Sequence, residues 1–190
     1  RDAAGSLQYH DGSNWVAITS LSINTWYHFS IDFECGVEEY KSLSPDTFNL
    51  YIDGISQLSG ASFKDMVNTV TDLQFNTVNT AQDYNAFFDA IGYSWNPFYY
   101  VGMNKNPEDT YNPTLGHYSG SYSFEDDEVG SNPNGWAIDD ESGGTVNILS
   151  ELDAHQKVVE LHDQNSNRLI MSNTISRPAG TIEFYMRTTD

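Results

Sequence analysis

A strict alternation of polar and apolar residues is the feature that most constrains the fold of this chain. It is clearest at residues 26–36, WYHFSIDFECG. Alternate positions form two rows. The polar row is His28, Ser30, Asp32 and Glu34, and the apolar row is Tyr27, Phe29, Ile31 and Phe33. Because successive side chains of a strand point to opposite faces, the pattern predicts a β-strand with one polar face. We expect this polar row to face solvent, as on an ordinary sandwich strand.

Period-two alternation recurs along the chain, whereas helical periodicity is nearly absent. It predicts strands at residues 6–11, 14–21, 26–34, 47–53, 55–60, 72–78, 85–95, 121–125, 136–140, 145–152, 156–163, 168–173 and 181–189. The stretch 63–70, FKDMVNTV, is the one place where a short helical turn is predicted. Asp53 and Gly54 form a strong hairpin signal between two of these strands. Short strands with polar turns and no long helix predict an all-β sandwich or barrel.

One long segment, residues 96–120, interrupts this pattern. It is rich in Asn, Pro, Gly and Tyr and shows no alternation. Loops of this length without secondary structure are uncommon inside a compact domain. We therefore expect a linker at 96–120 between two units, residues 1–95 and residues 121–190.

Three motifs in the first unit occur in a family order. A Trp-His strand, a Y-x-D-G hairpin and an F-D-x-I strand carry the matching residues Trp26, His28, Tyr51, Asp53, Gly54, Phe88, Asp89 and Ile91. In this order, residues 7–95 resemble the later part of the laminin G-like, or concanavalin A-like, jelly-roll family. The resemblance implies an antiparallel two-sheet jelly-roll sandwich.

The opening part of the same family pattern comes last in this chain. Residues 121–136, SYSFEDDEVGSNPNGW, resemble the family's first strand and its G-W turn, and the segments VVELHD and GTIEFYMRTT resemble its early paired strands. The two halves of the jelly roll are therefore in permuted order. A circular permutation and a window across a tandem array both explain this order.

Half a sandwich exposes an apolar face and strand edges, so each half needs its complement in the same chain or in a neighbour. A complement from the next copy would make a head-to-tail contact, which generates filaments. The resemblance implies large repetitive surface proteins of prokaryotes, in which such domains act in adhesion or structure. We therefore expect an extracellular or cell-surface module whose partners are copies of itself, or surface glycans or proteins.

Catalysis is the less favoured interpretation of the acidic strand. Glucanases of this family carry an E-[I]-D-x-E strand motif, and retaining glycoside hydrolysis needs two carboxyls about 5–5.5 Å apart on one face. Here Ser30 stands at the nucleophile position, ahead of Asp32 and Glu34. Nothing resembling a nucleophile elbow accompanies a Ser30–His28 pair. We therefore predict a non-enzymatic protein, with a glycoside hydrolase as the weakest alternative.

Structural calcium is the cofactor that the resemblance implies. Many jelly rolls of this type hold Ca²⁺ where the first and last strands meet, and Ca²⁺ takes several oxygen ligands. The matching candidates are Asp89, Glu125, Asp126 and Asp127. An acidic surface loop is the favoured interpretation of the same residues. No other cofactor is predicted.

Carbohydrate binding would need exposed aromatic side chains on a concave face or in end loops. The candidates are Trp15, Trp136, Tyr99, Tyr100 and Tyr111. Buried tryptophans are common in sandwiches, so a core position for Trp15 and Trp136 is the competing interpretation. The tyrosines of the 96–120 segment have the alternative of packing between neighbouring units.

The charge and the single cysteine exclude several other classes. A net charge of −19, from 27 acidic and 8 basic residues, repels phosphate backbones, so nucleic acid is not an expected partner. No apolar run approaches the roughly 18 residues of a membrane span. Cys35 is the only cysteine, so no internal disulfide forms.

Overall fold

The computed structural model describes residues 6–37, 39–77, 83–107, 116–139 and 144–189. Within these ranges it contains the strands β1 (Ser6–His10), β2 (Trp15–Ser20), β3 (Tyr27–Glu34), β4 (Thr47–Ile52), β5 (Ile55–Ser62), β6 (Val70–Asn76), β7 (Tyr84–Tyr93), β8 (Ala137–Asp139), β9 (Gly144–Leu152), β10 (His155–Asp163), β11 (Ile170–Arg177) and β12 (Ala179–Thr188). The prediction of an all-β protein is confirmed. The described residues include no helix that is long and apolar enough to span a membrane.

Two local predictions are wrong. Residues 63–70 form bends and the first residue of β6 rather than a helical turn. Residues 121–125 form no strand, because their backbone pairing with β7 is limited to an isolated bridge between Tyr122 and Ile91. The helical turns of the described chain are instead two short 3-10 turns, at Tyr40–Ser42 and Met103–Lys105.

The strands form three antiparallel sheets. A seven-stranded sheet has the order β5-β4-β3-β12-β7-β10-β9, a three-stranded sheet has the order β6-β11-β8, and β1 pairs with β2. In the large sheet the last strand, β12, lies between β3 and β7 and hydrogen-bonds to both. Strands from residues 1–95 and from residues 121–190 therefore share one sheet within a single chain. This arrangement is compatible with a β-sandwich, whereas the jelly-roll order stays a prediction.

Aromatic side chains fill the space between the large sheet and the three-stranded sheet. Phe75 of β6 lies with its ring centroid 4.1 Å from that of Phe88 and 5.2 Å from that of Phe184, on the opposite sheet. Trp136 closes the same cluster, 5.9 Å from Phe75. Each such ring contributes roughly 1.5–3 kcal/mol when it leaves water, so this layer is a main source of stability.

The opposite face of the large sheet is polar but is not exposed, which corrects the expectation of a solvent-facing row. His28, Ser30, Asp32 and Glu34 are respectively 4%, 8%, 2% and 0% exposed. Segments without alternation fold over this face and bury it. Period-two alternation distinguishes a polar face from an apolar one, but it does not reveal whether water or polypeptide covers the polar face.

The 96–120 segment supplies part of this cover where it is described. Residues 96–107, which we call the strap, lie against the polar face, and Tyr99 and Asn104 are buried there. Pro107 and Tyr118 form a bridge that joins the two described parts of the segment. The segment expected to separate two units thus packs onto the sheet they share. The domain boundaries at 95 and 121 stay a prediction about the relation to the family.

Candidate functional site

Asp32 is held in an ion pair beneath the cover of the polar face. Its Oδ1 atom accepts hydrogen bonds from Lys41 Nζ and from Thr181 Oγ1, both at 2.6 Å. Thr181 also lies 2.8 Å from the hydroxyl of Tyr40. The carboxylate therefore fastens the turn at residues 40–42 to the sheet.

Glu34 is fully buried and serves the same turn. Its two oxygens accept the backbone N–H groups of Gly36 at 2.6 Å and of Tyr40 at 3.0 Å. Backbone N–H groups that are shielded from water need such partners, and this carboxylate supplies them for Gly36 and Tyr40. Asp32 and Glu34, the pair considered for glycoside hydrolysis, are thus both covered and both engaged in structural contacts.

Glu183 of β12 anchors the strap. Its Oε2 atom accepts hydrogen bonds from the Tyr99 hydroxyl at 2.7 Å and from the Gly102 N–H at 2.5 Å. Burial, together with the negative charge of Glu183, raises the pKa of Tyr99, so its hydroxyl keeps its proton and remains the donor. Glu183 pairs across the sheet with Gly92 of β7, and the Tyr99 ring lies over that glycine.

His28 connects β3 to the strap through a hydrogen bond with Asn104. Its Nε2 atom lies 2.8 Å from Oδ1 of Asn104, and the Asn104 amide donates its own hydrogen bond to the carbonyl of Ala90 at 3.0 Å. Glu183 Oε1 is 3.9 Å from the same ring nitrogen. Burial lowers the pKa of His28 despite the opposing effects of Asn104 and Glu183. The imidazole is therefore neutral near pH 7.

Asp89 and His155 form a second buried pair. Oδ2 of Asp89 lies 2.7 Å from Nδ1 of His155, whose ring lies between Trp26 and Tyr118 at centroid distances of 4.2 and 4.5 Å. Burial raises the pKa of Asp89 well above its usual range and lowers the pKa of His155 to about 4. Because burial disfavours both charged forms, we assign the pair one proton, which Asp89 carries and donates to His155.

An open cleft lies on the polar face beside the His28–Asn104 pair and the Asp89–His155 pair. Its volume is about 190 Å³, and its lining residues are His28, Asp53, Lys105 and Tyr185. The Tyr185 ring contacts His28 edge-on at 5.0 Å and His155 at 4.8 Å. Asp53 occupies the predicted hairpin turn between β4 and β5. Its Oδ1 atom accepts a hydrogen bond from the backbone N–H of His28 at 2.9 Å.

Four elements bring the lining residues of this open cleft together, namely β3, β12, the strap and the β4–β5 turn. Tyr185 pairs with His28 across β12 and β3, so the two side chains share one face. Lys105 ends the 3-10 turn of the strap. The sequence motifs included His28 and Asp53 but pointed neither to Tyr185 nor to Lys105. Tyr185 has the same parity as Glu183 on β12, which is the signal that places it on the polar face.

The aromatic residues expected to bind carbohydrate lie elsewhere. Trp15 and Tyr100 are exposed, at 68% and 73%, but neither lines the open cleft. Trp136 belongs to the core, and Tyr99 of the strap is buried against the sheet, so neither is accessible to a saccharide. Tyr111 lies outside the described residues.

The four carboxylates proposed as calcium ligands do not converge. Asp89 is occupied by His155, and Asp127 accepts two hydrogen bonds from Asn134. Glu125 lies 3.8 Å from Nδ1 of His117, and Asp126 is exposed. Within the described ranges, no three His, Cys, Asp or Glu side chains are grouped so that they could hold a metal ion. Calcium at this position stays a prediction from the resemblance.

Among the motif positions of the predicted family, Trp26 directly precedes β3, His28 lies on β3, Asp53 lies in the β4–β5 turn and Asp89 lies on β7. Comparison of the chain with protein-family models, with curated proteins and with solved structures finds no match in any of the three. The resemblance to the laminin G-like, or concanavalin A-like, family therefore stays a prediction from those motifs.

Proposed function

We propose that this protein is a non-enzymatic carbohydrate-binding domain and that the open cleft is its binding site. The observation that carries the proposal is the composition of the cleft, which combines the Tyr185 ring with the ionic side chains of Asp53 and Lys105 and the imidazole of His28. Saccharides present apolar C–H faces and hydroxyl groups, so they suit a site with one aromatic surface and several polar groups.

The state of the buried carboxylates supports binding rather than hydrolysis. Asp53 is the one carboxylate among the lining residues of the open cleft. Glycoside hydrolysis commonly needs two carboxyls on either side of the scissile bond. Asp32, Glu34 and Glu183 are at most 2% exposed, and each is engaged in contacts that hold the cover of the sheet.

Head-to-tail association of copies is the second candidate function. The sequence suggests it because each half of the chain lacks its complement. In the structure, however, strands of both halves share one sheet within this chain. The edge strands β5 and β9 of that sheet are the specific feature that still favours association, because edges offer free backbone hydrogen-bonding groups. Surface location and adhesion belong to this proposal as expectations from the resemblance.

A glycan array followed by titration calorimetry tests the proposal. The variants Lys105→Ala and Tyr185→Ala should each weaken binding of the best array ligand at least about tenfold, which is about 1.4 kcal/mol. Lys64→Ala and Trp15→Ala are matched controls, because both side chains are exposed and lie outside the open cleft, so binding should not change. Absence of any array ligand, combined with concentration-dependent polymers in sedimentation velocity, would favour the association function instead.

A further inference from the structure

One ring nitrogen of His28 is a buried polar atom whose role the fold does not explain. The His28 side chain is 4% exposed and lines the open cleft. Its Nδ1 atom has no hydrogen-bond partner among the described residues. Buried polar atoms in native proteins nearly always have a partner, so an unpartnered one beside a cleft points to a ligand or to water.

The contacts of the opposite nitrogen determine what this atom can do. Asn104 donates its amide hydrogen to the Ala90 carbonyl, so its oxygen is the atom that faces His28 Nε2. Turning the amide over would place two acceptors against each other at Ala90. Nε2 therefore carries the hydrogen, and in the neutral ring Nδ1 bears a lone pair. It is an acceptor held in position by the strap.

The groups that face His28 keep this tautomer neutral. Burial lowers its pKa and Lys105 lowers it further, while Asn104, Glu183 and Asp53 act in the opposite direction. The remaining neighbour, Tyr185, contacts the ring edge-on at 5.0 Å. Because the pKa of His28 is lowered, protonation would occur below the ordinary histidine range. It would convert Nδ1 into a donor and so remove the acceptor.

We propose that the open cleft selects a neutral polyhydroxylated ligand, one hydroxyl of which donates its hydrogen to Nδ1 of His28 while a ligand oxygen accepts from Lys105 Nζ. This inference rests on the proposed function and adds the chemistry that the site selects. A hydroxyl group satisfies both contacts because it is at once a donor and an acceptor. A carboxylate has no hydrogen to donate, and it would bring a negative charge to the lone pair of His28 and to Asp53.

Nitrogen-detected NMR of the histidine rings tests the inference on the unmodified protein. The probes are methyl β-galactoside, methyl β-glucoside and methyl α-mannoside, with methyl β-glucuronide as the carboxylate comparison. In the free protein, His28 should show a protonated Nε2 and an unprotonated Nδ1. A neutral glycoside should shift the Nδ1 resonance and the Tyr185 and Lys105 signals together, whereas the glucuronide should bind at least about tenfold more weakly than the glucoside.

The variant His28→Gln gives an independent readout. Its side-chain amide keeps an N–H group toward Asn104 but lacks an acceptor at the Nδ1 position, so glycoside binding should fall at least about tenfold. Binding by the unmodified protein should also weaken as the pH falls through the pKa of His28.

The outcomes separate the inference from the proposed function. If a glycoside shifts the Tyr185 and Lys105 signals but leaves Nδ1 unchanged, or if the free ring carries its hydrogen on Nδ1, the inference is overturned while the proposed function stands. Equal binding of glucuronide and glucoside also overturns it. If none of the neutral glycosides shifts any signal of the open cleft, and the array yields no ligand, the proposed function fails and the inference with it.

Discussion

The ring of Tyr99 lies directly on the backbone of Gly92. A Cβ atom added to Gly92 would stand 2.1 Å from Cζ of Tyr99, far inside the contact distance. The absence of a side chain at Gly92 thus allows the strap to approach the sheet closely enough for the Tyr99 hydroxyl to reach Glu183. One missing methyl group on β7 permits the burial of a carboxylate on β12.

We expect Gly92→Ala to displace Tyr99 and to destabilise the fold by roughly 1–3 kcal/mol, as overpacking does. Urea unfolding followed by tryptophan fluorescence measures the change. Gly36→Ala is the matched control, because its added Cβ would meet Glu34 Oε1 at an ordinary 3.6 Å. Equal stability of the Gly92→Ala variant and the unmodified protein would contradict the described position of the strap.

Tyr99→Phe removes only the hydroxyl that binds Glu183. Hydrogen bonds to charged groups contribute about 1.5–3 kcal/mol, so we expect a loss of stability of this size. Tyr100→Phe offers a control at the next residue, where the side chain is 73% exposed and the change should stay within about 0.5 kcal/mol. Chemical denaturation of both variants measures the difference, and similar values for the two would argue against a buried Tyr99–Glu183 contact.

Lys41→Met removes the cation beside Asp32 while retaining much of the side-chain volume. Breaking a buried ion pair leaves a charge without compensation, but Lys41 itself is 41% exposed, so we expect a loss of about 1–2 kcal/mol rather than the larger value of a fully buried pair. Lys64→Met changes the net charge equally at an exposed position and should have little effect. The two unfolding free energies should therefore differ, and equal values would count against the Lys41–Asp32 pair.

His155 and Asp89 make stability depend on pH in opposite directions. Burial lowers the folded-state pKa of His155 from 6.5 to about 4, so the unfolded state takes up this proton first as the pH falls, which reduces stability between about pH 6.5 and pH 4. The raised folded-state pKa of Asp89 offsets this loss in the unmodified protein, so the decrease, on the order of 2–3 kcal/mol, should appear in the Asp89→Asn variant. Urea unfolding across this range measures the slope.

Asp89→Asn separates the two members of the pair. The folded-state pKa of Asp89 is raised, so its contribution is present at low pH and is lost as the pH rises through that pKa. An amide cannot lose this proton and can still donate to His155. We therefore expect the variant to be about as stable as the unmodified protein below the unfolded-state pKa of 3.8 and to gain relative to it as the pH rises. A loss of several kcal/mol at every pH would indicate an ion pair instead.

Much of the strand content was predictable, because it depends on local alternation. The strand predicted at residues 26–34 became β3, and the hairpin predicted at Asp53 and Gly54 joins β4 to β5. The strand predicted at 121–125 failed because pairing there is limited to the bridge at Tyr122. Whether a short segment extends into a strand depends on a partner distant in the chain, which local pattern does not report.

The candidate site was predictable only in part. His28 and Asp53 were visible in the motifs, but their neighbours Lys105 and Tyr185 come from the strap and from the last strand. Lys105 lies in a segment whose composition indicates a loop, and composition does not specify where a loop packs. The exposed Trp15 and the buried Tyr99 are both aromatic residues, and residue type alone did not separate them.

The sequence by itself determined that this protein is all-β and which residues of each strand share a face, because the side-chain period of a strand is a local property. Only the tertiary structure decided that the polar face of the large sheet is buried, with Asp32, Glu34 and Glu183 used to hold its cover. It also decided that an open cleft remains beside His28. The reason is that the strap lies far along the chain from β3 and β12, and its placement depends on contacts such as that of Tyr99 with Glu183.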